Sequence, residues 1–176
     1  IGVVKTTDGV VLIDPMPGEP GLSELNETIK ETYQSKPWFI VNTHGHEDHT
    51  GGNAYFLNRG AKKLDGSLKK HGIEHIVVAS HSPSDKVYYH TQSNSIFVGD
   101  VFESNWHPTF YFGGRKGLNN AIEQILALGD ENSTIIPGHG VITDKETLRQ
   151  FPDNTFKWVD RVKELISMNV TVDEIM

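Results

Sequence analysis

Five times in 176 residues, a short β-type apolar run ends on a histidine or an aspartate. VVLID ends at Asp14, WFIVNTH at His44, IEHIVVASH at His81, SIFVGD at Asp100 and STIIPGH at His139. β-Branched runs bounded by Gly, Pro, Asn and Ser read as strands. Several are apolar on consecutive residues, as strands covered on both faces require. Helical patterns lie between them. Residues 21–34 put Leu22, Leu25, Ile29 and Tyr33 on one face, and residues 118–128 do the same with Leu118, Ile122, Ile125 and Leu126 before Gly129. A further helix over 155–167 would turn Phe156, Val159, Val162 and Ile166 inward. Thr143–Glu146 and Thr171–Glu174 have the spacing of capping boxes. Strands alternating with helices predict an α/β layered fold, and the length suits one domain spanning 1–176.

Taken singly, a histidine at a strand end is a turn residue or a satisfied buried one. Strands of one sheet or sandwich, however, bring their ends to a common edge, where loops carry function. Four of these ends together offer five histidines and two aspartates. The densest is HGHEDHTGGN, residues 44–53, with three of the nine histidines in six consecutive positions. A solvated polar loop could have this composition. The spacing says more: His44 and His46 project to the same side of an extended segment. Asp48 and His49 follow, and Thr50-Gly51-Gly52 allow a tight bend into a helix. Imidazole nitrogens and carboxylate oxygens are ligands of zinc and its neighbours. One donor pair cannot saturate an ion, and the second pair points to a second ion.

Composition narrows the rest. No apolar run reaches the ~20 residues that span a bilayer. A net charge of −7 argues against a nucleic-acid backbone as partner; Lys62-Lys63, Lys69-Lys70 and Arg115-Lys116 read as solvated surface. Without cysteine there are no disulfides, thiolate sites or thiol nucleophiles, and the redox compartment is open. The chain starts at Ile1 and shows no signal peptide. Its compartment is therefore unassigned: cytoplasm, or periplasm if a signal peptide was removed.

The HxHxDH run (His44, His46, Asp48, His49), the lone His81 of SHSPSD, the Asp100 of FVGD and the His139 of PGHG resemble, in order, the metal motifs of the metallo-β-lactamase-fold hydrolases. The resemblance runs from GVVLID to the helix after PGHG and implies an αββα four-layer sandwich with metals at one edge. Carried over, His44, His46 and His81 would hold a first ion, Asp48, His49 and His139 a second, and Asp100 would bridge them. Asp14, by itself a strand-end residue before Pro15, matches the aspartate that orients ligands by hydrogen bonding. Two zinc ions per chain are expected, and iron or manganese would also suit an all nitrogen and oxygen set.

Three departures stand out. Almost nothing precedes GVVLID where the family has one or two strands. Only 32 positions separate His49 from His81, a segment in which relatives carry an extra helix and strands. The bridging residue is aspartate rather than the cysteine of many β-lactamases, which is more similar to the glyoxalase II-like and lactonase-like hydrolases. A missing edge strand would leave a sheet edge open to a second copy of the chain.

The resemblance implies a hydroxide bridging two metals that attacks the carbonyl of an ester, thioester, lactone or β-lactam. Asp48 would orient it and relay its proton. The loop after Asp100 is aromatic, with Trp106, Phe110, Tyr111 and Phe112, and would wall a pocket or serve as core. His107 is a candidate substrate contact, and Arg115 or Lys116 could anchor a substrate carboxylate. His71, His75 and His90 match no motif. The alternatives are an iron-dependent redox enzyme of the same fold, persulfide dioxygenase-like, or a non-catalytic metal-binding domain. A flavodiiron reading fails because its HxExDH glutamate is replaced by His46.

Overall fold

The computed structural model describes residues 1–7, 9–16, 18–34, 37–64, 68–105 and 108–175. β1 (Gly2–Thr6) and β2 (Gly9–Ile13) form an antiparallel hairpin, Thr6 opposite Gly9. α1 (Glu19–Tyr33) crosses over, and β3 (Pro37–Val41) returns parallel to β2. After α2 (Glu47–Thr50) and α3 (Asn53–Leu57), the two residues of β4 (Lys62–Lys63) complete a sheet of order β1-β2-β3-β4. The second sheet runs in chain order: β5 (Ile73–Val78), β6 (Asp85–His90), β7 (Ser95–Gly99), β8 (Thr134–Pro137) and β9 (Thr143–Asp144). Its neighbours are antiparallel except β7 and β8, which α4 (Gly114–Leu126) joins in parallel. α5 (Lys145–Ser167) and α6 (Val172–Ile175) end the chain. No helix among the described residues is long and apolar enough to cross a membrane.

The consecutive apolar residues serve two faces in turn. On β2, Val11 and Ile13 enter the space between the sheets with Val4, Val41, Ile73, Tyr88 and Phe97. Val10 and Leu12 point the other way, onto Leu22 and Ile29 of α1 and Phe56 of α3. On β7, Ile96 and Val98 pack under Leu118, Ile122 and Ile125 of α4 and Leu148 of α5. The layers are therefore helices, sheet, sheet, helices: the αββα sandwich. Each such aliphatic side chain stabilises the fold by about 1.5–3 kcal/mol when fully buried.

The elements differ from the sequence reading in four places. Residues before GVVLID do make a strand, β1. β6, DKVYYH, was not expected, yet pairs with both β5 and β7. The short stretch from His49 to His81 still accommodates α3, β4, a turn of 3-10 helix at Lys69–His71 and β5. Finally, α5 starts at Lys145 rather than 155 and runs through Pro152. Its cap is Asp144, whose carboxylate accepts from Thr147 N at 2.8 Å, one residue beyond the expected Thr143. Burial of Leu148, Pro152 and Thr155 offsets the hydrogen bond that proline forfeits. Phe156, Val159 and Val162 are half-buried, whereas Ile166 is exposed because the packed face has ended. The Thr171 cap holds as expected, with Glu174 Oε2 accepting from Thr171 N at 2.9 Å and Oγ1 at 2.7 Å.

Candidate metal centre

Each loop that leaves a strand toward one edge of the sandwich delivers part of a single cluster. Asp14 follows β2, and His44 and His46 follow β3. Asp48 and His49 lie on α2, His81 between β5 and β6, Asp100 after β7 and His139 after β8. Two groups of donors form, His44–His46–His81–Asp100 and Asp48–His49–Asp100–His139, each with one ligand atom per residue and all within 4.8 Å of one another. Asp100 belongs to both.

In the first group, His46 Nδ1 lies 3.0 Å from both His44 Nε2 and His81 Nε2. Asp100 Oδ2 is 3.6 Å from each of those Nε2 atoms. In the second, Asp48 Oδ2 is 3.1 Å from His139 Nε2 and 3.4 Å from His49 Nε2, and Asp100 Oδ1 is 3.1 Å from His49 Nε2. Donors each ~2.0–2.1 Å from one tetrahedral ion stand about 3.3 Å apart, so both groups have the spacing such an ion needs.

The outer hydrogen bonds decide which nitrogen faces inward. Thr43 Oγ1 donates to Asp14 Oδ2 at 2.6 Å, so toward His44 Nδ1, 3.1 Å away, it is an acceptor. His44 therefore carries its proton on Nδ1 and turns a lone pair at Nε2 into the cluster. His49 Nδ1 donates to Asp14 Oδ2 at 2.9 Å, with the same result. His81 Nδ1 lies 3.0 Å from the Thr109 carbonyl, which can only accept. Three buried imidazoles thus hold Nδ1 against an outer acceptor and turn Nε2 toward the cluster, the nitrogen that a cation would take. His49 Nε2 and Asp100 Oδ1 are buried without a well-aligned hydrogen-bond partner, which is again what a shared ion would supply.

Without an ion, the electrostatics are lopsided. Burial, reinforced by His49, pushes His44 down to about 4. Burial opposes charge on His49 too, but the carboxylates of Asp100 and Asp14 outweigh it and lift His49 to about 10. Burial likewise disfavours the Asp100 carboxylate, but the neighbouring imidazoles, His49 foremost, hold it below its ordinary value. An ion bound at His49 Nε2 would compete with a proton there.

The supporting contacts belong to residues the sequence reading did not single out: Thr43, Thr109, Asp85, Asn42 and Asn53. Asp85 gathers the backbone N–H of Ser80 at 3.1 Å and of Ser82 at 3.0 Å, folding the loop that carries His81. Asn42 and Asn53 pair their amides, and Asn42 Nδ2 also donates to the His49 carbonyl at 2.9 Å. Two glycines are needed for close approach. A Cβ on Gly138 would collide with the Asp100 carboxylate, and Gly99, at φ +54°, has no room for one against Thr43.

The expected pocket residues scatter. Tyr111 stands by the site, its ring 5.6 Å from that of His81, and is exposed. Phe110 instead packs toward Phe156 of α5. Arg115 is drawn into an ion pair with Asp160 and lies over the Phe156 ring, so it anchors α4 to α5 rather than facing the cluster. Lys116 is exposed on α4, and Trp106 and His107 lie outside the described residues. Of the unassigned histidines, His71 and His90 are buried and His75 is exposed. An open cavity of about 490 Å³ lies over the cluster, lined by Asp48, Asp100, Asn105, His139 and Gly140.

Residues 1–69 match the family description of the Metallo-beta-lactamase superfamily. Among curated proteins, the chain is 26% identical over 149 residues to the probable hydroxyacylglutathione hydrolase glo2 of Schizosaccharomyces pombe, covering 73% of this chain and 57% of that one. It is 26% identical over 175 residues to the metallo-beta-lactamase type 2 of Bacillus sp. strain 170, covering 83% and 68%. The chain therefore spans little more than half the length of the first and about two thirds of the second. Among solved structures, the metallo-beta-lactamase FIM-1 from Pseudomonas aeruginosa in its mono-zinc form superposes with a TM-score of 0.75 at 18% identity, over 88% of this chain and 82% of that one. The protein TTHA1623 in a di-iron-bound form gives 0.65 at 21%, over 82% and 89%. The chain has the metallo-β-lactamase fold, and its first 69 residues match that superfamily's description.

Proposed function

We propose that the cluster holds two divalent ions, zinc foremost, and that the chain hydrolyses a carbonyl bond: an ester, thioester, lactone or β-lactam. The observation that carries this reading is the pair of donor groups sharing Asp100, with Nε2 of three buried imidazoles turned inward. His44, His46 and His81 would bind one ion, Asp48, His49 and His139 the other, and Asp100 both. Bound ions of this kind supply Lewis acidity toward a carbonyl oxygen and a water acidified to a pKa of about 7.

The chain's own contribution is positioning. Asp14 and Thr43 keep His44 and His49 in the tautomer that ligates. Asp48, about half exposed and lining the cavity, can receive a proton at the carboxylate oxygen not used as a ligand and pass it to solvent. Tyr111, exposed beside His81, supplies an aromatic surface for an acyl group. The net charge of −7 favours a small-molecule substrate over a nucleic acid. A second reading, iron in place of zinc with redox chemistry, is favoured by the nitrogen and oxygen donor set and by the di-iron-bound state of a fold neighbour.

Metal content of protein purified without added metal, with a panel of ester, thioester, lactone and cephalosporin substrates, separates the readings. Two zinc per chain with turnover supports the hydrolase, and iron without hydrolysis supports redox chemistry. Less than one ion per chain after reconstitution would sink both. Asp48→Ala is expected to lose the second ion and most turnover, and full activity with one ion would overturn the dinuclear scheme.

A further inference from the structure

Two of the three histidines in the first donor group are backed by the same construction. On His44 it is Asp14, then the Thr43 hydroxyl at 2.6 Å, then Nδ1 at 3.1 Å. On His81 it is Glu103, then the Thr109 hydroxyl at 3.2 Å, then Nδ1 at 2.7 Å. The first carboxylate comes from the β1–β4 sheet, after β2. The second comes from the other sheet, after β7. Nothing in the sequence marks Glu103, yet its residue is only 5% exposed. A carboxylate is not taken out of water without a partner. One of its partners is the hydroxyl that touches His81.

We propose that Glu103 is a positioning residue for His81, acting through Thr109, and the counterpart on the second sheet of Asp14 acting through Thr43. The proposal rests on the cluster being a metal centre, and adds a residue to it. The Thr109 carbonyl, 3.0 Å from Nδ1, is enough to settle which nitrogen carries the proton. The hydroxyl adds something the carbonyl cannot. By donating to Glu103 it must accept from Nδ1–H, so a negative charge is felt at the ring and His81 Nε2 becomes a stronger donor to an ion. The relay also pins the imidazole plane, because Oγ1 and the carbonyl oxygen of one residue hold Nδ1 together.

The test uses Glu103→Gln, which keeps shape and an acceptor oxygen but removes the charge, alongside Thr109→Val, Thr109→Ser and the Gln/Val double variant. Two quantities are read. One is the NMR resonance of the His81 Nδ1–H proton in chelator-treated protein. The other is the stepwise affinity for zinc by competition with a chromophoric chelator. The relay predicts an upfield shift of that proton in Glu103→Gln. It also predicts about a tenfold loss of affinity for one ion and less than twofold for the other, as removal of an outer hydrogen-bond partner typically gives. Thr109→Val should lose at least as much, Thr109→Ser should recover it, and the double variant should match Thr109→Val alone.

An unmoved Nδ1–H, an equal loss of both ions, or additive losses in the double variant would overturn the relay. If wild-type protein takes up no zinc while Glu103→Gln still shifts the proton, the relay stands and the metal-centre reading falls. Should Glu103→Gln fail to fold, the Thr109 pair decides: a valine variant that binds both ions as tightly as wild type overturns it.

Discussion

Asp14 has a left-handed backbone, φ +53°, a conformation that costs most residues about 1–2 kcal/mol and that aspartate tolerates better than most. The bend is stabilised by a carboxylate with three donors: Thr43 N at 2.8 Å, Thr43 Oγ1 at 2.6 Å and His49 Nδ1 at 2.9 Å. That last contact, with Asp100, holds His49 near 10, while burial and His49 itself press His44 to about 4. The signs then follow. A raised His49 contributes stability that is complete below its ordinary 6.5 and is lost as pH rises through about 10. A depressed His44 resists protonation, so stability is lost as pH falls from 6.5 toward 4. Chelator-treated protein should therefore be most stable near pH 6.5, and urea midpoints measured across pH should fall on both sides. Loaded with metal, which keeps both rings neutral, the decline toward pH 10 should vanish. A midpoint that stays flat up to pH 10 without metal would contradict the role given to Asp14 and Asp100.

At the scale of elements, the close pass of the β8 loop over the β7 loop matters most. Gly138 N donates to the Gly99 carbonyl at 2.8 Å, and the missing Cβ of Gly138 leaves the space where the Asp100 carboxylate lies. Gly138→Ala is expected to cost about 1–3 kcal/mol and to weaken both ions together, since Asp100 is shared. Gly45→Ala, which meets open space, should bind like wild type. Titrating zinc into both variants checks the contrast.

The strands that deliver the cluster were legible because each is an apolar run stopped by a polar residue, and HGHEDHTGGN announces its own chemistry by spacing. β6 was not, because Lys86 and the tyrosines of DKVYYH break both the apolar run and clean alternation. α5 was misjudged because Pro152 reads as a boundary, whereas burial of the proline lets the helix continue through it. Thr43, Thr109 and Glu103 were invisible for a different reason. Each threonine has a partner distant along the chain, Asp14 lying 29 residues from Thr43 and His81 lying 28 from Thr109; a lone threonine carries no pattern, and Glu103 is marked only by its burial.

Across the whole molecule, the cluster draws on both sheets. His44, His46, Asp48 and His49 leave the β1–β4 sheet, and His81, Asp100 and His139 leave the other. Ions bound there would clasp two layers that otherwise meet through apolar side chains such as Val11, Ile73 and Phe97 and hydrogen bonds such as Lys86 N to the Thr43 carbonyl at 2.7 Å. Zinc at about a thousand times its Kd should add roughly 4 kcal/mol to stability. Hydrogen exchange should slow in both sheets at once, and protection confined to one would argue against a clasp.

The same division has a consequence for how the protein is made. Ribosomal synthesis releases the chain from its first residue onward, so the ligands emerge in order. The first set is complete once Asp100 has emerged, but the second waits for His139. A nascent chain could therefore capture one ion well before it could capture two, and filling the second position would mark the arrival of β8 against a finished β7.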